Sequence, residues 1–209
     1  MIVAEIKTAP KHLCLVCFDN GEELLVDRSV AEENLHKGLE LQRNQLEEII
    51  GLSDYRRAMS RAMWHIEQGD ISEKRLREKL KKAGFGTDAV QKTVLRLSEL
   101  GLINDEDYAC RLAERLLESL VSKREAQQKM IQRGIAKDVA VQALDMFECD
   151  PLLQIKALIN KKYKNKLTDH QAVEKVFAAL MRKGFNYRDI KSVLVKYDEE
   201  LSYKEDENE

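Results

Sequence analysis

Leu-Lys-Lys-Ala-Gly-Phe at residues 80–85, Met-Ile-Gln-Arg-Gly-Ile at 130–135 and Leu-Met-Arg-Lys-Gly-Phe at 180–185 are one motif written three times, with Gly84, Gly134 and Gly184 at intervals of fifty. A glycine in this setting reads as the left-handed residue that ends a helix, and the apolar residue after it (Phe85, Ile135 or Phe185) reads as a plug folding back onto that helix. Apolar positions around the motif keep the same interval: Leu76, Ala126 and Val176; Leu80, Met130 and Leu180; Val90, Ala140 and Ile190; Val94, Leu144 and Leu194. Self-similarity at a fixed period of this length marks an array of helical repeats. The predicted fold class is therefore an all-α body of tandem three-helix repeats, stacked through neighbour contacts into an elongated, curved, solenoid-like shape.

Within the first copy, Ser53 is positioned to cap a helix over Asp54–Glu67, which Gly69-Asp70 interrupts. Ser72 caps a second helix whose Leu76, Leu80 and Ala83 recur at helical spacing up to Gly84. Thr87 opens a third, with the stripe Val90, Val94, Leu97 and Leu100 ending at Gly101. Three short helices joined by tight turns are the smallest arrangement in which each buries its stripe against the other two. The copies span residues 53–101, 102–149 and 150–197, and residues 198–209, with one base against seven acids, form a tail expected to be disordered.

Residues 1–52 read differently. Strands are expected at Ile2–Lys7, His12–Phe18 and Glu23–Val26, with Asp19-Asn20-Gly21 as a hairpin turn. Ser29 with Glu32 suggests a capping box for a short helix ending near His36; a second short helix follows over Gln42–Ile50, and Gly51 marks the boundary. Three short strands cannot hold a core alone, so this β-hairpin and helix extension must lean on the helices after it. Cys14 and Cys17 form a CxxC pair beside His12, but in a strand their side chains leave on opposite faces, and a closed zinc site would need further ligands from afar. No metal or cofactor is predicted. MIVAEIKTAP lacks the basic start and apolar core of a secretion signal, and no run of eighteen apolar residues occurs, so a cytoplasmic location without membrane contact is expected.

Charge is divided unevenly along the chain. Residues 1–52 carry five bases and ten acids, whereas residues 53–197 carry 29 bases and 20 acids, a net +9. Lys74, Arg77 and Lys81 fall on one face of the second helix of copy one. Lys123, Arg124, Lys129 and Arg133 lie in the corresponding helix of copy two; Lys161 and Lys162 precede, and Arg182 and Lys183 end, that helix in copy three. Such a surface suits a periodic polyanion or a helical protein filament. No glycine-rich phosphate loop, HExxH, GxSxG or dinucleotide fingerprint is present. Asp105, Glu106 and Asp107 read as acids favouring a helix N-terminus rather than as metal ligands. A helix that reads DNA sequence would expose Arg, Asn or Gln toward base edges, which the third helices do not do in each copy.

Gly101-Leu102-Ile103-Asn104-Asp105-Glu106-Asp107-Tyr108-Ala109, taken with Ser72–Leu80, Lys82-Ala83-Gly84-Phe85 and Arg133-Gly134-Ile135, resembles the RecX family, bacterial regulatory proteins of the RecA recombinase. The resemblance spans residues 53–197 and departs from the family pattern in two places. Asn104-Asp105 varies around an acidic position, and copy two lacks the glycine usual near Leu120–Ser122. It implies a protein that binds RecA filaments in their helical groove, limits filament extension, ATP hydrolysis and strand exchange, and has some affinity for single- or double-stranded DNA. DNA repair, recombination and the SOS response are the implied setting. The residues it singles out, Gly84, Phe85, Gly101, Leu102, Asp105, Tyr108, Ala109 and Gly134, joined through the repeat by Ile135, Gly184 and Phe185, are framework. Partner contacts are expected instead on the basic residues named above. A RecA-independent nucleic-acid-binding module and a helical-repeat scaffold are the competing readings.

Overall fold

The structure, a computed structural model, describes the backbone of residues 1–206 and the side chains of residues 1–197. Two units divide it, Met1–Asn104 and Asp105–Glu209.

The first unit begins with β1 (Val3–Ala9), β2 (Leu13–Phe18) and β3 (Glu23–Asp27), an antiparallel sheet in the order β1-β2-β3. Along β2, Cys14, Val16 and Phe18 are buried while Leu13, Leu15 and Cys17 are half-exposed, the period of two that a one-sided sheet imposes. The two cysteines therefore diverge: Cys14 enters the core, and the Cys17 thiol lies 3.6 Å from Glu23 Oε1 on the other face. Lys11 and His12 take left-handed backbone in the β1–β2 turn, which moves the start of β2 from the expected His12 to Leu13. α1 (Arg28–Asn34) is capped by Asp27 rather than Ser29: its Oδ1 accepts from Ser29 N at 3.0 Å and Ser29 Oγ at 2.7 Å, two bonds to one charged acceptor.

The expected pair of helices on either side of Gly51 is instead one helix, α2 (Arg43–Glu67), and the 52/53 boundary falls inside it. Gly51 has no left-handed φ, so it does not turn the chain. Ser53 is not a cap either; buried in the middle of α2, its Oγ accepts from Asp27 N at 2.8 Å and ties the end of β3 to the helix. Both residues look like punctuation in the sequence, but glycine only permits a break and serine caps only where a helix begins. One long helix thus serves two cores. Ile49 packs with Val3, Val16, Val26 and Val30 beneath the sheet, and Ala62 packs with Leu76 and Leu80 of α3 (Glu73–Lys82) and Val90, Val94 and Leu97 of α4 (Thr87–Glu99).

The second unit holds two further helix triplets. α5 (Asp105–Glu118), α6 (Lys123–Gln132) and α7 (Lys137–Asp145) enclose Tyr108, Ala109, Leu112, Met130, Ile135 and Leu144. α8 (Pro151–Leu158), a π-helical turn at Ile159–Tyr163, α9 (His170–Arg182) and α10 (Tyr187–Asp206) enclose Ile155, Leu158, Leu180, Phe185, Ile190 and Leu194. α10 runs through most of the stretch expected to be a disordered tail. No Pro or Gly occurs between 187 and 206 to end it, and only the last part of that expectation, residues 207–209, lies outside the described residues.

Every apolar position matched at the interval of fifty is buried in its own core; Leu80, Met130 and Leu180 have no exposed surface at all. The turns that follow are equally alike. Gly84 N donates to Lys81 O at 3.0 Å and Phe85 N to Leu80 O at 3.3 Å, and the same two bonds recur at Gly134-Ile135 and Gly184-Phe185. Ile135 and Phe185 are buried and Phe85 half-buried, as plugs should be. Gly101 closes α4 the same way, but there Ile103 is buried and Leu102 stays 44% exposed. After α5 the turn forms with no glycine. Leu120 adopts φ 59 and donates to Leu117 O, and Val121 donates to Leu116 O. A non-glycine residue there costs roughly 1 kcal/mol, which Leu120 offsets by packing against the α8–α10 core.

Two outcomes test this packing. Gly84 (φ +92) has open space around a would-be Cβ, whereas at Gly184 (φ +80) that atom would lie 2.9 Å from Ser122 Oγ and 3.3 Å from Arg124 Cβ. Gly84→Ala should lower stability by about 1 kcal/mol through backbone strain alone, and Gly184→Ala by a further ~1–3 kcal/mol through crowding, read by denaturant unfolding. The second concerns His65, buried on α2, whose pKa is lowered by burial first and then by the nearby charges of Lys79 and Arg61. The unfolded chain takes up the proton more readily, so stability from neutral His65 is present above about pH 6.5 and falls as pH drops below that ordinary value. His65→Gln should flatten the acid limb of Tm against pH between about 7 and 5.

Candidate binding surface

α3 decides the first cluster. With Leu76 and Leu80 wholly buried, the rest of this ten-residue helix must face outward, and it carries six bases against two acids. Ser72 Oγ accepts from Arg75 N at 3.3 Å to start it, and Lys79, Lys81 and Lys82 in the last turn complement the negative end of the helix dipole. Lys74, Arg77 and Lys81 do share one face, as their spacing requires. Lys74 and Lys81 are exposed, while Arg77 is half-buried with its Nε 2.8 Å from Glu73 Oε1. An ion pair this exposed is worth ~0.5 kcal/mol or less and leaves the guanidinium available to a stronger anion.

Basic and aromatic groups of α2 adjoin this helix, and the sequence reading did not single them out. The Arg57 guanidinium sits 5.8 Å from the Phe85 ring centre, and that of Arg61 lies 4.7 Å over Trp64. Trp64, the one tryptophan of the chain, is 46% exposed. The signal in the sequence is the Arg-x-x-Trp spacing, which puts Arg61 and Trp64 side by side on one helix face.

The expected repetition of the ridge does not hold. At the positions of Lys74, Arg77 and Lys81, α6 has Arg124, Gln127 and Ile131, and α9 has Glu174, Phe177 and Met181. In α6 the four expected cations do not share a face, because the helix turns about 100° per residue. Arg124 is exposed, Lys123 and Lys129 are half-buried on different flanks, Lys129 Nζ lies 2.9 Å from Glu125 Oε1, and Arg133 is the C-cap.

The second unit assembles a different group of these residues. Ser122 Oγ, the N-cap acceptor for Glu125 N at 3.2 Å, also hydrogen-bonds to Lys183 O, and the missing Cβ of Gly184 lets that turn lie against Arg124. The start of α6 and the end of α9 thereby bring Lys123 and Arg124 to the Arg182-Lys183 turn, from sixty residues away in sequence. Lys161 and Lys162 lie exposed in the π-helical turn after α8. The framework residues behave as framework: Tyr108 and Ala109 are buried in α5, and Asp105 stands in its acidic first turn. Among the described residues no group of three His, Cys, Asp or Glu could hold a metal, and no helix is long and apolar enough to cross a membrane.

Residues 150–194, the α8–α10 triplet up to the middle of α10, match a family profile described as "RecX, third three-helix domain". A protein named Regulatory protein RecX from Streptococcus pneumoniae is 27% identical over 194 residues, covering 91% of this chain and 75% of its own. One of the same name from Caldanaerobacter subterraneus subsp. tengcongensis is 26% identical over 161 residues, covering 77% and 80%. Among solved structures, that of a regulatory protein RecX aligns with TM-score 0.65 at 23% identity over 92% of this chain and 98% of its own. The crystal structure of RecX from Lactobacillus salivarius aligns with TM-score 0.60 at 20% identity over 72% and 97%. The profile and the relatives are where this chain is similar to the RecX family, and the solved structures share its fold.

Proposed function

We propose that this chain is a regulator of RecA that binds the RecA–DNA filament through its exposed cations, limits filament extension, ATP hydrolysis and strand exchange, and acts in the cytoplasm without chemistry of its own. The observation that carries the reading is α3, a helix with a net charge of +4 over ten residues, within a chain similar to proteins named regulatory protein RecX. A face of this kind attracts an anionic partner from a distance and holds it through several weak contacts rather than one strong one. Lys74, Arg77 and Lys81, with Lys82, supply one contact; Lys123, Arg124, Arg182 and Lys183 supply a second. Lys129 and Arg133 rank lower as contacts: Lys129 is paired with Glu125, whose side chain is only 22% exposed against 43% for Glu73 beside Arg77, and Arg133 already has a partner; Lys161 and Lys162 are a third, separate element.

The mechanism follows from bridging. A protein that contacts a RecA subunit and adjacent phosphates at once resists the addition or movement of the next subunit, and needs no catalytic group to do so. The test is RecA ATPase on single-stranded DNA, with and without the chain. The wild-type chain should lower the rate, and Lys74→Gln, Lys81→Gln and Lys82→Gln combined should raise the concentration for half-inhibition about tenfold or more with helical content unchanged. Inhibition that persists undiminished in the triple variant would refute the surface. A chain that shifts DNA in a salt-dependent manner yet leaves RecA untouched would favour the RecA-independent reading, and DNA affinity through phosphates should fall by ~0.7 log unit per contact for each tenfold rise in salt.

A further inference from the structure

The mechanism above makes no use of a groove of about 1250 Å³ that runs between α2 and α4, lined wholly by residues of the first unit. Its walls are two helical stripes. Asn44, Glu48, Gly51 and Tyr55 follow one another along α2, and Asp88, Lys92, Leu95 and Glu99 along α4, each spanning three turns. Two adjacent helices with such stripes form a trough of the shape that receives a third helix. Its apolar surface is real: Leu52 is 48% exposed and Leu95 58%.

The charge around it is opposite to that of α3. Glu47, Glu48, Asp54, Asp88 and Glu99 line the groove against Lys92 and Arg96, and Arg96 is held by Glu99 at 3.1 Å. Glu48 and Asp88 have no cationic partner among the described residues. Glu47 and Asp54 are likewise paired, with Arg43 and Arg57, so the charge the rim leaves open to a partner is that of Glu48 and Asp88 against Lys92, which favours lysine or arginine over phosphate.

Gly51 adds an independent argument. It lies inside α2 with helical backbone, and a Cβ there would meet nothing within 4 Å. Neither a turn nor internal packing accounts for a residue that weakens the helix it sits in. What its missing side chain does provide is room for another backbone to approach the wall of the groove. We infer that the α2–α4 groove is a docking site for a basic amphipathic helix of a partner protein, its apolar face on Leu52 and Leu95, its lysines or arginines against Glu48 and Asp88, and its backbone drawn close at Gly51. This site is independent of the filament reading, and either can fail alone.

The experiment uses the full chain, isotope-labelled for NMR, and a synthetic sixteen-residue helix with leucines at i, i+3, i+4 and i+7 and lysines elsewhere. Amide shifts should move at Leu52, Leu95 and their neighbours, and should not move with the same peptide carrying glutamates for lysines. Gly51→Ala should raise Tm and weaken binding severalfold, because its Cβ takes up the room left for the partner's backbone. Gly51→Leu should keep or raise Tm yet weaken binding at least tenfold, as should Glu48→Lys with Asp88→Lys. Binding that maps elsewhere, or that survives Gly51→Leu and the charge reversal, overturns the site. Single-stranded DNA shifting the groove amides, or a second copy of this chain occupying it in sedimentation, overturns the assigned occupant.

Discussion

The constraint on which this architecture rests is a pair of backbone hydrogen bonds. At the end of α3, α6 and α9 the chain turns left-handed for one residue, satisfies two terminal carbonyls, and returns an apolar side chain toward the helix it has just left. That turn decides how the next helix sets off. It also fixes which side of the preceding helix is sealed against the core. Once Leu76 and Leu80 are sealed in α3, Lys74, Lys81 and Lys82 have nowhere to go but outward. The surface is in this sense a by-product of closing the helix.

The second unit shows that the same turn can carry an inter-helix contact. Gly184 is left-handed and also crowded, so the end of α9 lies directly on the start of α6, and Ser122 serves both. Cations remote in sequence meet there because a side chain is missing. Leu120 shows the converse, a turn kept without glycine because the larger residue has a core to enter. Conformation and burial are traded within about a kilocalorie at such positions.

Much of the framework was legible because packing repeats. Each apolar position spaced at fifty is buried, since a helix triplet of fixed length must place its knobs at fixed intervals. Gly51 and Ser53 look like helix boundaries in the sequence and are not, for a physical reason. Whether a glycine breaks a helix depends on its φ, and whether a serine caps one depends on what else is near; Asp27 reaches Ser53 only after the chain has folded. Charge failed to follow the repeat because exposed positions bear no packing constraint. The interval of fifty therefore says nothing about what replaces Lys81, and Ile131 and Met181 stand there. Arg61 and Trp64 carry only a local signal, a spacing of three, and no ring stands at the interval of fifty, where Glu114 and Lys164 replace Trp64.

The first unit then presents two chemically distinct faces: a cationic α3 suited to an anionic filament and an acid-rimmed groove suited to a basic helix. The division follows from α2 being one continuous helix that carries the sheet, the α3–α4 core and the groove wall together. The most direct measurement is amine footprinting by mass spectrometry on the full chain, with and without RecA assembled on single-stranded DNA. The account expects acetylation to slow severalfold at Lys74, Lys81 and Lys82 on filament addition while Lys92 in the groove keeps its rate. Unchanged reactivity along α3, with protection confined to other lysines, would contradict it.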